Sequence, residues 1–229
     1  MLLRGGEWGH GERVAVLVHG IMSDHRTWRR VGPVLAARGY RVVGVDLRGH
    51  GASGRGEYSA ELFAEDLVDT VPVGAELVIG HSLGALAVSL AVERLAPDRV
   101  VYADPAWALG TLALDPAAFT GFGEATREMI VELNPDWEDA DVDVELATLQ
   151  AWDPDTAFGV TGARAADLVP ERPAVPSLVV TAGRGSLVSD NLKADLTARG
   201  FTVRTVAGAG HTLHRDDFDG FLHALDGWI

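Results

Sequence analysis

One stretch of the chain puts a potential nucleophile at a tight bend: Gly80-His81-Ser82-Leu83-Gly84, which matches the pattern G-x-S-x-G. A serine hydroxyl is a weak nucleophile that becomes reactive when a neighbouring base takes its proton. Flanking glycines suit a strand that turns sharply into a helix, because side chains there would clash. That turn would lift the hydroxyl clear of the sheet and aim a helix N-terminus at developing negative charge. In a chain this rich in glycine the bare pattern arises by chance roughly 0.1 times. Here it lies between an apolar run, Glu76–Ile79, and a helical stretch, Leu83–Leu95, the context such a bend requires.

The surrounding elements alternate. Val14–Val18, Arg41–Leu47, Glu76–Ile79, Arg99–Ala103, Ser177–Ala182 and Phe201–Val206 read as strands, being short, apolar and largely β-branched. Helices are expected over Thr27–Arg38, with Pro33 able to shift its start and Gly39 suited to its C-terminal cap. Further helices are expected over Ser59–Val71, Leu83–Leu95 and Leu187–Arg199, and after His214. Continuous apolar strands between helices imply a parallel sheet covered on both faces.

Taken together, these residues resemble the α/β-hydrolase superfamily over nearly the whole chain. His19-Gly20-Ile21-Met22 is similar to the family's His-Gly loop, Asp46-Leu47-Arg48-Gly49-His50-Gly51-Ala52-Ser53 to the loop after its next strand, and Gly208-Ala209-Gly210-His211 to its histidine loop. The resemblance implies acyl-transfer chemistry, with Ser82 as nucleophile and His211 as general base and then general acid. It also implies an oxyanion hole made by the backbone N–H groups of Ile21 and Leu83. The chain departs from the family at the third member. After Ser177–Ala182, where an acid is usual, Gly183-Arg184-Gly185-Ser186 offers a serine. Asp104, directly after Arg99–Ala103, is the favoured substitute, because neighbouring strand ends lie only about 5 Å apart. Asp190 is the alternative acid. His19, His50 and Asp46 are read as loop-holding residues, His81 as structural and His214 as a minor alternative base. The spacing of His19, Asp46, His50 and Asp104 fits no zinc pattern, and no metal or cofactor is implied.

With 229 residues the chain is long enough for one domain with a sizeable core. It contains no cysteine, which excludes disulfides and a thiolate nucleophile. A formal charge of −14 argues against nucleic acid and anionic membranes as partners. With no apolar run long enough to span a bilayer and no leader-like N-terminus, a cytoplasmic location is expected. Thirteen acids but only Arg127 and Arg164 as bases fall between Pro105 and Pro170. Apolar residues there recur at helical spacing: Phe122, Met129, Ile130 and Leu133, then Val144, Leu146 and Leu149. The expected architecture is therefore a mostly parallel, doubly wound α/β sheet formed by residues 1–104 and 171–229. Residues 105–170 form an acidic helical cap over the strands' C-terminal edge, where open α/β sheets bind ligands.

The expected function is hydrolysis of an ester, thioester or lactone bond in a small, largely apolar molecule, by a monomer or homodimer. Met22, Trp107, Phe122, Trp137 and Trp152 are candidates to line the pocket, along with Leu109, Leu112, Phe119 and Phe158. Two other classes compete. One keeps the fold and uses Ser82 and His211 for acid–base chemistry without an acyl-enzyme, as a lyase, cyclase or cofactor-independent dioxygenase. The other is a non-catalytic small-molecule-binding protein. Epoxide hydrolase and dehalogenase activities are disfavoured, because their nucleophile is an aspartate where this chain has Ser82.

Overall fold

The computed structural model describes residues 1–111, 115–161 and 167–229. Its centre is a seven-stranded sheet: β1 (Arg4–Trp8), β2 (Arg13–Val18), β3 (Tyr40–Asp46), β4 (Leu77–His81), β5 (Arg99–Ala103), β6 (Ser177–Ala182) and β7 (Thr202–Val206). The spatial order is β1-β3-β2-β4-β5-β6-β7, and every pairing is parallel except that of β1 with β3. All residues of β4 and β6 are buried, as expected of strands covered on both faces.

Side chains alternate across the pleat, so each strand feeds two cores. Val16, Val18, Val78, Val100 and Val179 pack on one side with α2 (Ala60–Thr70) and α3 (Leu83–Leu95). Leu17, Ile79, Val101 and Val180 pack on the other, against Trp28, Leu35 of α1 (Val31–Ala37) and Phe221 near the C-terminus.

Local chemistry sets several boundaries. The stretch expected as one helix from Thr27 is a 3-10 turn, His25–Trp28, followed by α1. Pro33 lacks an N–H and is tolerated only in a helix's first turn, so α1 starts just before it. Gly39 closes α1 at φ +90°, a conformation open to glycine at little cost. Ser59 caps α2 by accepting from Leu62 N. Strand β1 escaped the sequence reading. It is a short polar edge strand whose Gly5 lies so close to β3 that an added Cβ would overlap Gly44 O.

Between β5 and β6 the described chain is helical: a 3-10 turn at Leu109–Thr111, then α4 (Ala117–Thr120), α5 (Arg127–Leu133), α6 (Asp139–Ala151) and α7 (Asp155–Val160). Ile130, Val142 and Leu149 form a small apolar cluster there, while Phe122, Met129 and Leu133 face outward. After β6 come α8 (Asp190–Ala198), and after β7 α9 (Leu213–Asp216) and α10 (Phe218–Ala224). No helix among the described residues is long and apolar enough to cross a membrane.

Candidate active site

Ser82 is the hinge between β4 and α3. Its φ of 52° is rare for a residue with a side chain, and it persists because both neighbours are locked. A Cβ on Gly84 would come within 2.4 Å of His19 O, and one on Gly80 within 2.7 Å of Ala85 Cα. The flanking glycines are therefore required by close backbone approach. The bend directs the Ser82 hydroxyl to His211, with Oγ 3.0 Å from Nε2. His211 stands in the loop between β7 and α9.

The other imidazole nitrogen of His211, Nδ1, lies 2.7 Å from Asp104 Oδ2. Asp104 follows β5 directly and is fully buried, at φ +39°. Its backbone N–H donates to Val180 O of the adjacent strand at 2.7 Å. Burial by itself would raise its pKa. Hydrogen bonds from His211, Ser186 and Leu187 N, together with the field of His211, outweigh burial and hold the carboxyl below its ordinary value. Ser186, the residue found where an acid was expected, donates its hydroxyl to Asp104 Oδ1. It thus supports an acid that sits on the neighbouring strand. Asp190 is not brought to the site: it lies in the first turn of α8, almost fully exposed and paired with Lys193.

Leu83 is the first residue of α3, so its N–H has no partner within the helix. Leu83 and Ile21 both border a cavity of about 240 Å3 that opens on Ser82 and His211. Met22 lines it as expected, as do Leu109 and Phe119. The other aromatic candidates do not. Trp107 is fully buried against Tyr102 and Phe201, and its indole N–H donates to Ser89 Oγ. Trp152 is buried and donates to Thr156 Oγ1. Trp137 donates to Asp216 and carries the Arg215 guanidinium on its ring face. Phe122 and Phe158 border separate surface depressions. Trp107 and Trp152 fill gaps between layers instead of facing an open cavity. Leu112 lies outside the described residues.

The walls missed by the sequence reading include Ala106, Glu145, Val160, Thr161, Leu187 and Arg215. Arg215 follows His211 by four positions, a spacing that was a usable signal; Glu145 was hidden in a run of acids. His81 also borders the cavity. Its Nε2 donates to His211 O at 2.8 Å, and burial pushes its pKa down to about 3, so it is neutral. His214 is buried against Trp28, and the hydrogen bond of Ser82 goes to His211 instead.

The remaining histidines hold loops. His19 Nε2 accepts from Leu47 N, and His50 Nδ1 donates to Arg48 O. Asp46 accepts from Ala52 N and His25. Asp24, His25 and Asp46 bring possible ligand atoms within 4.8 Å of one another. Those atoms are already spent: Asp24 on Arg26, His25 on Asp46.

A family model described as the alpha/beta hydrolase family matches residues 15–224. The chain is similar to esterase PIR7B of rice (Oryza sativa subsp. japonica), 32% identical over 129 residues, covering 53% of this chain and 46% of that protein. The chain thus spans about half the length of the rice esterases it matches. It is also 26% identical to an N-formylmaleamate deformylase of Pseudomonas putida over 253 aligned positions, covering 99% of this chain and 91% of the other. Among solved structures it resembles the N-formylmaleamic acid deformylase of Pseudomonas putida S16, with a TM-score of 0.75, 24% identity, and coverage of 98% and 94%. That likeness establishes the shared fold.

Proposed function

The chain belongs to the alpha/beta hydrolase family, and from that premise we propose that it is a serine hydrolase acting on an ester, thioester or lactone bond of a small, largely apolar substrate. The observation that carries this reading is the line Ser82 Oγ, His211 Nε2, His211 Nδ1, Asp104 Oδ2, with successive contacts of 3.0 and 2.7 Å, at the floor of the cavity.

In the proposed reaction His211 takes the Ser82 proton as Oγ attacks the acyl carbon, and Asp104 stabilises the imidazolium that results. The N–H groups of Leu83 and Ile21 stabilise the oxyanion; losing one such donor typically costs on the order of 3 kcal/mol. His211 then returns the proton to the leaving group. A water, deprotonated by the same imidazole, releases the acyl group from Ser82. Similarity to a rice esterase and a bacterial deformylase supports hydrolysis as the reaction class. Residues 105–170 act in this reading as the cap that closes the cavity.

A fluorophosphonate probe read by intact mass, together with a series of p-nitrophenyl esters, tests the proposal. One label on the wild type, none on Ser82→Ala, and loss of esterase turnover in that variant are expected. A Ser82→Ala protein that keeps most of its turnover would replace this reading with acid–base chemistry lacking an acyl-enzyme. No label and no turnover would leave a binding protein.

A further inference from the structure

The cavity above Ser82 is walled mainly by apolar side chains, yet Glu145 of α6 and Arg215 of α9 both border it. Arg215 Nη1 donates to Glu145 Oε2 at 2.6 Å, and both side chains are largely buried, at 3% and 13% exposure. A buried ion pair contributes little net stability, because desolvating two charges offsets their attraction. The pair is also incomplete. A guanidinium has five N–H donors, and among the described residues this one makes a single hydrogen bond, with Nε buried and unpartnered. Arg215 reaches only Oε2 of Glu145, which leaves Oε1 outside that bond. Arg215 is braced by its stack on Trp137, 3.9 Å from the ring centroid, and so is held in place.

We propose that Glu145 and Arg215 form a specificity element that recognises a neutral amide group in the substrate. The inference rests on the hydrolase reading above. The pair sets a donor beside an acceptor with no net charge. An amide answers both, its carbonyl oxygen accepting from Arg215 and its N–H donating to Glu145. A carboxylate meets Glu145 as a like charge, and an ammonium meets Arg215. A plain alkyl chain answers neither the remaining donors of Arg215 nor the second oxygen of Glu145, which penalises it relative to the amide.

Three p-nitrophenyl esters of matched length separate these cases: 4-acetamidobutanoate, heptanoate and the adipate monoester. Wild-type kcat/KM is expected to be about tenfold higher for the amide than for heptanoate and lowest for the adipate. In Arg215→Met the amide-to-heptanoate ratio falls to about one. In Glu145→Gln the charge of Arg215 is no longer balanced, and the adipate-to-heptanoate ratio rises at least tenfold. If the pair only ties α6 to α9, the variants shift all three esters together and leave the ratios unchanged, which overturns the proposal. So does a wild type that treats amide and alkyl esters alike or prefers the adipate. The wild-type ratio decides the matter even if a variant does not fold. Turnover that survives in Ser82→Ala sinks the hydrolase reading instead, whatever the ratios.

Discussion

At the sheet edge, Ser82 and Asp104 leave strands whose neighbours are almost wholly buried, whereas the α5–α6 pair encloses a cluster of three buried residues, Ile130, Val142 and Leu149. The helices between β5 and β6 add Leu109 and Val160 to the core and also meet it through polar contacts. Arg29 binds Asp141 and Glu138, Trp137 binds Asp216, Tyr58 binds Asp153, and Arg215 binds Glu145. One region is held by non-directional burial of strands on two faces, the other by directional pairs whose strength depends on salt and on each partner. In the proposed reaction the groups that need sub-ångström placement grow from the first region, and the helices proposed as the cavity's cap, with the choice of substrate, belong to the second.

The largest expected effect tests the sheet edge. Asp104→Asn should lower kcat by about 10^4-fold, as when an imidazole loses the carboxylate that orients it. Asp190→Asn should stay within about twofold, and the reverse ranking in ester assays would overturn the assignment of the acid. A break in the second region comes next. Asp141 is fully buried, so Arg29→Met leaves a carboxylate without its partner and should cost about 3 kcal/mol of stability. Limited proteolysis should then cut first within residues 115–161, and first cuts in β4 or β5 would contradict the division.

Acid should act the other way round. Burial pushes His50 and His81 down to about 3, from 6.5, and no histidine lies between residues 105 and 170. Below pH 6.5 the unfolded chain binds protons that these folded histidines refuse, so stability falls as pH drops. Each contributes about 1.4 kcal/mol per pH unit below 6.5, giving a loss of about 3 kcal/mol between pH 7.5 and 5.5 from the two. Denaturant titrations at those pH values check this; equal stability at both would show that the two rings are already protonated in the fold. The smallest effect is that of salt. Raising NaCl from 0.05 to 0.5 M should speed cleavage within residues 115–161 about twofold while leaving the sheet untouched, and an equal response of both regions would erase the contrast.

Legibility followed the same divide. The bounds of α3, β5 and β6 agree with the sequence reading residue for residue, because continuous apolar runs can be buried in few other ways. Strand β1 was invisible, since edge pairing with β3 demands backbone contact and little side-chain pattern. In the helical stretch the 3.6-residue spacing was readable but its direction was not: Ile130 points inward while Met129 and Leu133 point out. The pocket aromatics were misplaced for a related reason. Trp107 donates its indole N–H to Ser89 of α3, a partner that the packing of layers decides, whereas Trp152 is buried with a local partner, Thr156, four residues on.

Sequence alone determined the bend at Ser82, because glycines at 80 and 84 mark close backbone approaches on both sides of it. It also determined the alternation that puts residue 82, residue 104 and the loop of residue 211 at one end of the strands. Only the tertiary structure chose Asp104 over Asp190 and brought Glu145 to Arg215. Those choices depend on which strand ends lie side by side and which helix crosses above them, distances that no local spacing encodes.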